Sequence, residues 1–124
     1  MNTGEKKVEK SDRLGRPDVA LMFESVIGCK WSLHVLGQIR QGVVRPGRLR
    51  DSADGLTEKV LNERLNKFLR FGVIERAVFA ESPPRVEYTL TRFGEKFIDV
   101  LDRIDVLRQE LSDETPGDGS SEPG

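Results

Sequence analysis

The hydrophobic period of this chain changes abruptly at Gly72, and that change narrows the possible folds more than any other feature. Before it, Leu61, Leu65, Phe68 and Leu69 recur at helical spacing behind Thr57, a residue suited to capping a helix N-terminus. After it, Val73-Ile74-Glu75-Arg76-Ala77-Val78-Phe79 and Val86-Glu87-Tyr88-Thr89-Leu90-Thr91 read as two short strands. Residues 80–85, with Pro83-Pro84 among them, join the strands as a hairpin tip. Gly72 can take the left-handed conformation that ends a helix. A helix over 57–71 that feeds directly into a hairpin leaves few architectures open.

The flanking segments narrow them further. Asp18 can cap a helix whose apolar stripe is Val19, Leu21, Met22 and Val26, ending or bending at Gly28. A second helix is predicted from about Lys30 to Gln41, with Trp31, Leu33, Val35, Leu36 and Ile39 as its apolar positions. A short piece over 47–53 follows Arg45-Pro46 and is anchored by Leu49. The last helix starts near Arg92 and carries Phe97, Leu101, Ile104 and Leu111 on one face, with Ile98 and Leu107 beside it. Four helices, a hairpin and a long helix give an α+β, mostly helical fold. The expected form is a winged helix-turn-helix with a two-stranded wing and flanking dimerisation helices. Residues 47–53 and 57–71 would be the helix pair, and Asp54-Gly55-Leu56 the turn between them. Residues 1–16 are polar and aperiodic, and are expected to be a mobile basic arm. Residues 112–124, rich in Gly, Pro, Ser and acid, are expected to be a disordered acidic tail, leaving 17–111 as the folded domain.

Composition sets limits on chemistry. One cysteine and one histidine among 124 residues exclude an intramolecular disulfide and a Cys/His zinc site, and no metal or cofactor is expected. The first twenty residues lack an apolar signal core and no apolar run is long enough to span a bilayer, so the expected compartment is the cytoplasm, without a membrane partner. The net charge of −1 conceals an uneven distribution. Residues 110–124 hold five acidic groups and no basic one, whereas Arg40 to Arg76 holds nine basic against five acidic. Such a mixed run is also the ordinary make-up of a solvated face.

The chemistry of helix 57–71 suits base reading. Leu61, Leu65 and Phe68 are the burying stripe, which leaves Thr57, Glu58, Lys59, Asn62, Glu63 and Asn66 facing outward. Asn pairs bidentately with adenine, Lys with guanine, and Glu accepts from cytosine in the major groove. Arg45, Arg48, Arg50, Arg64 and Lys67 are candidates for phosphate contact, and Arg85 stands at the hairpin tip within reach of a neighbouring groove. Double-stranded DNA is the expected partner. A winged helix that binds protein instead is the alternative. His34 has no evident activating partner, and no nucleophile–base pair or phosphate loop is visible, so no enzyme is expected.

Residues 83–94, Pro83-Pro84-Arg85-Val86-Glu87-Tyr88-Thr89-Leu90-Thr91-Arg92-Phe93-Gly94, closely resemble the wing and following helix start of HxlR-type regulators. The resemblance extends back through Phe71-Gly72-Val73-Ile74-Glu75-Arg76, Leu61-Asn62-Glu63-Arg64-Leu65, Gly42 with Arg45, and Gly28-Cys29-Lys30-Trp31. It implies a homodimeric, cytoplasmic, bacterial DNA-binding transcriptional regulator that reads a palindromic operator with helix 57–71 and a wing at 80–85. It also implies dimerisation through the first and last helices, with Leu21, Met22, Phe97, Leu101, Ile104 and Leu111 as contacts. The alternative is that this stripe packs on its own domain. Pro46, Arg48 and Leu107 depart from the family pattern. Some relatives switch through a cysteine where this chain has Pro17. Cys29 is the redox candidate here, beside Lys30, which would favour its thiolate. An inert cysteine near Trp31 is the other reading. The effector is not identified by the sequence, and the small core directs any ligand to the dimer interface.

Overall fold

The computed structural model describes residues 6–9 and 18–114. Helix α1 (Val19–Ile27) begins at Asp18, whose carboxylate accepts the Leu21 amide at 3.2 Å. Helix α2 (Ser32–Arg40) begins at Trp31, whose φ of 74° is left-handed, a conformation that costs an aromatic residue about 1–3 kcal/mol. Packing holds it there. Helix α3 (Pro46–Arg50) has Pro46 in its first turn, where a missing N–H does no harm. Helix α4 (Glu58–Phe71) is capped by Thr57, whose hydroxyl accepts the Val60 amide at 3.1 Å. It stops at Gly72, which adopts the left-handed φ of 76° that the sequence leads one to expect.

Strands β2 (Ile74–Phe79) and β3 (Arg85–Leu90) form the antiparallel hairpin, with Ile74 opposite Leu90 and Phe79 opposite Arg85. The long helix α5 (Arg92–Glu114) follows at once. Residues 112–114, read from sequence as the start of a disordered tail, are its last turn. Residues 6–9 also correct the reading of a mobile arm: they form strand β1 (Lys6–Glu9), antiparallel to β2. The sheet order is β1-β2-β3. Three charged residues and one valine carry little strand signal of their own, but the open edge of β2 supplies the backbone partners that stabilise a strand. The remaining parts of arm and tail lie outside the described residues. No single helix among those described is long and apolar enough to cross a membrane.

The core joins every helix to the sheet. Leu61, Leu65 and Phe68 of α4 are buried, as are Val35, Leu36 and Ile39 of α2, Leu49 of α3 and Leu56 of the turn. Burying side chains of this kind contributes roughly 1.5–3 kcal/mol each. Helix α1 docks on α5 through Phe23 and Phe97, stacked with centroids 4.1 Å apart. Arg40 of α2 grips Asp102 of α5 with two hydrogen bonds, at 2.7 and 3.3 Å. The guanidinium holds that carboxyl below the ordinary carboxylate range.

The junction between α4 and α5 is built around one hydroxyl. Thr91 donates to the Gly72 carbonyl at 2.6 Å, lies 3.1 Å from that of Val73, and accepts the Gly94 amide at 2.8 Å. The α2–α3 connection is tied to the sheet as well, by the Tyr88 amide donating to the Val44 carbonyl at 2.8 Å.

Candidate nucleic-acid interface

The outward face of α4 is open along its first three turns. Thr57, Glu58, Lys59, Asn62, Glu63 and Asn66 are all exposed, while the opposite stripe is sealed in the core. The helix is therefore held by one face and presents amide, ammonium and carboxylate groups on the other. Thr57 spends its oxygen on the cap but keeps an O–H to donate. Arg45, the residue before α3, and Arg48 within it are exposed and make no ion pair among the described residues. They line one side of a cleft of about 640 Å³ whose other side is the hairpin tip, Pro83 and Pro84. Arg50, next to them, is engaged with Asp51 at 3.2 Å and Glu58 at 4.0 Å.

Three more of the residues expected to contact DNA are otherwise committed. Arg64 turns back to the α1–α2 elbow, where its Nε donates to the Lys30 carbonyl at 3.0 Å. Lys67 does the same to the Ser25 carbonyl at 3.2 Å, near the C-terminal end of α1. Both side chains satisfy carbonyls and brace α4, a use that their spacing does not reveal. Arg85 lies over the Phe79 ring at 4.0 Å and pairs with Glu81 at 2.9 Å and Glu87 at 3.2 Å. It is neutralised on its own hairpin rather than projected from the tip.

With this geometry the comparisons with known proteins agree. The model of the HxlR-like helix-turn-helix family matches residues 26–115. The chain belongs to the HxlR-like helix-turn-helix family. It is 43% identical over 72 residues to an uncharacterized HTH-type transcriptional regulator of Synechocystis, an alignment covering 58% of this chain and 53% of that protein. It is 34% identical over 79 residues to the uncharacterized HTH-type regulator YtcD of Bacillus subtilis, covering 64% and 63%. The chain thus spans between half and two thirds of the length of these relatives. A crystal structure assigned to the MarR family of transcriptional regulators, from Enterococcus faecalis V583, superposes with a TM-score of 0.69. There the identity is 32%, over 82% of this chain and 96% of the other.

Within this HxlR-like fold the residues predicted for dimerisation divide into two groups. Met22, Phe97 and Leu101 are 6%, 2% and 5% exposed and belong to the protomer's own core. That corrects their assignment as partner contacts. Leu21 and Leu111 are 59% and 64% exposed, and Ile104 is half-buried. The apolar face that remains open on α5 runs through Val100, Ile104, Leu107 and Leu111, spaced 4, 3 and 4 residues apart. Val100 was not singled out from sequence, because two neighbouring stripes on one amphipathic helix look alike until the domain occupies one of them.

Cys29 is half-buried in the α1–α2 elbow, its amide bonded to the Val26 carbonyl at 3.3 Å. The Lys30 ammonium lies 5.3 Å from the centroid of the Trp31 ring, a cation–π contact. His34 is half-buried, with Nε2 2.7 Å from the Ser52 hydroxyl, and that hydroxyl donates to the Leu49 carbonyl at 2.6 Å. The histidine thus links α2 to the end of α3.

Proposed function

We propose that this protein is a homodimeric, sequence-specific transcriptional regulator that binds double-stranded DNA in the cytoplasm. The observation that carries the reading is the outward face of α4, where Lys59, Asn62, Glu63 and Asn66 are exposed on a helix fixed by Leu61, Leu65 and Phe68. A helix so held can enter a major groove without bending its own domain. Arg45, just before α3, and Arg48 within it are cations suited to phosphate, which positions a protein without reading sequence. Family membership supports transcriptional regulation, the role for which the relatives are named.

Dimerisation has its own support. Val100 and Leu107 are 42% and 64% exposed, with Ile104 between them, and an α5 stripe at heptad-like spacing is the kind of surface a second helix covers. Two-fold pairing would present two copies of α4 to one duplex, so the operator is palindromic.

Selection of bound sites from random duplexes tests the reading directly. A two-fold symmetric site is expected, with affinity that falls steeply as salt rises. Asn62→Ala is expected to weaken that site by about 1–3 kcal/mol and to relax the preference at one symmetry-related base pair. If the purified protein shows no salt-dependent affinity for any duplex, DNA binding is wrong and a protein-binding winged helix replaces it.

A further inference from the structure

The hairpin formed by β2 and β3 is poorly charged for a DNA-binding wing. From Ile74 to Leu90 it carries Glu75, Glu81 and Glu87 against Arg76 and Arg85. Arg85 is further held between Glu81 and Glu87, at 2.9 and 3.2 Å, with its guanidinium carbon 4.0 Å from the centre of the Phe79 ring. Attraction to the phosphate backbone requires a surplus of positive charge. This hairpin has none to offer.

Strand β1 brings Lys6, Lys7 and Glu9, which raises the sum from −1 to zero and sets both lysines at one end. It pairs with the edge of β2 that β3 leaves open, in the register Lys6 with Phe79, Lys7 with Val78, Val8 with Ala77 and Glu9 with Arg76. The direction matters. Because the pairing is antiparallel, the lysine end of β1 stands at the distal end of the wing, next to the tip at residues 80–84. Glu9 stands toward the base, opposite a basic residue. Paired strands are about 4.8 Å apart, so the β1 backbone travels with the wing wherever the wing goes. That distal end adjoins the cleft bordered by Arg45 and Arg48.

We propose that β1 is the cationic element of the wing, and that Lys6 and Lys7 supply its contact with the phosphates of duplex DNA. The proposal rests on the DNA-binding reading given above. It assigns the wing contact to a segment some seventy residues away in sequence, and withdraws it from Arg85.

The test uses the full-length protein and a fluorescent duplex from the random-site selection, with affinity measured by anisotropy between 50 and 200 mM salt. Lys6→Ala/Lys7→Ala is expected to make the log–log salt dependence shallower by about one to two. Across that range the wild type would then lose about 4- to 16-fold more affinity than the variant. A second variant, Val8→Pro/Glu9→Pro, keeps both lysines but removes a ladder hydrogen bond, since alternate amides of a strand face its partner. Charge alone would make it bind more tightly, because an acid is lost. A loss of affinity to the level of the lysine variant is expected instead. A wild-type salt slope for Lys6→Ala/Lys7→Ala overturns the proposal. Wild-type affinity for Val8→Pro/Glu9→Pro overturns it too, because the lysines would then act without the strand. If the wild type itself binds no duplex in a salt-dependent way, the DNA-binding reading has failed and this proposal falls with it.

Discussion

Gly94→Ala is expected to remove a large part of the folding stability of this protein. A Cβ at Gly94 would overlap the carbonyl group of Val73, which is backbone and cannot rotate away. The clash falls at the Thr91 junction, beside Val73 and Phe97, both of which are buried. Relief would require α5 to lift from the end of α4 and open the core between them. Overpacking usually costs 1–3 kcal/mol, and a clash with fixed backbone belongs at or above the top of that range, so about 3 kcal/mol or more is expected. For a domain of this size that lowers the thermal midpoint by more than about 12 °C. Gly37→Ala is the matched control. Nothing lies within 4 Å of a Cβ there, and alanine is the better helix former by roughly 0.5–1 kcal/mol. Circular-dichroism melts of the two variants should diverge in opposite directions. Equal midpoints for Gly94→Ala and the wild type would rule out the close approach of α5 to Val73.

The second large effect is expected from Val100→Glu/Leu107→Glu. Both side chains are exposed on the protomer, at 42% and 64%, so the fold tolerates the change. Two carboxylates on each copy of the same stripe would bury four charges in a two-fold interface, with no basic partners introduced to meet them. Sedimentation is expected to show a monomer. Operator affinity is expected to fall by about 10²–10⁴, the gain that linking two half-site contacts provides. Val106→Glu separates position from charge. Val106 is 52% exposed but lies about 100° around the helix from Leu107, off the stripe, and that variant should remain dimeric. A dimer that survives the double substitution would place the interface elsewhere.

These expectations differ in how far they could be read from sequence. Thr57 and Gly72 marked the limits of α4 because capping and left-handed termination depend on the residue itself. Strands β2 and β3 were visible for a similar reason, since their β-branched and aromatic residues themselves favour a pleated sheet. Strand β1 left no trace of that kind. Lys6-Lys7-Val8-Glu9 has no apolar alternation, and pairs only because β2 offers an edge, a partner remote in the chain. The charged residues show the same division. Asn62 and Lys59 were correctly taken to face outward, since helical period alone decides that. Arg64, Lys67 and Arg85 have the same formal chemistry as Arg45 and Arg48. What separates Arg64 and Lys67 is a backbone carbonyl 34 and 42 residues away, at a distance that no local pattern encodes, whereas Arg85 is paired within its own hairpin by Glu81 and Glu87. The apolar face of α5 was legible as a face but not as two, because packing on α1 and the sheet determines which stripe is spent at home.

The Thr91 hydroxyl also fixes how motion can pass through the molecule. It binds the carbonyls that follow α4 and the amide in the first turn of α5, so the two helices share a rigid pivot rather than a loop. Helix α4, with 14 residues, is about 21 Å long. Turned about that pivot by 10°, its far end sweeps about 3.6 Å, close to the 3.4 Å rise of one base pair. On the proposed duplex a tilt of that size would amount to one full step, and in the proposed dimer two subunits tilting oppositely would change their register by two.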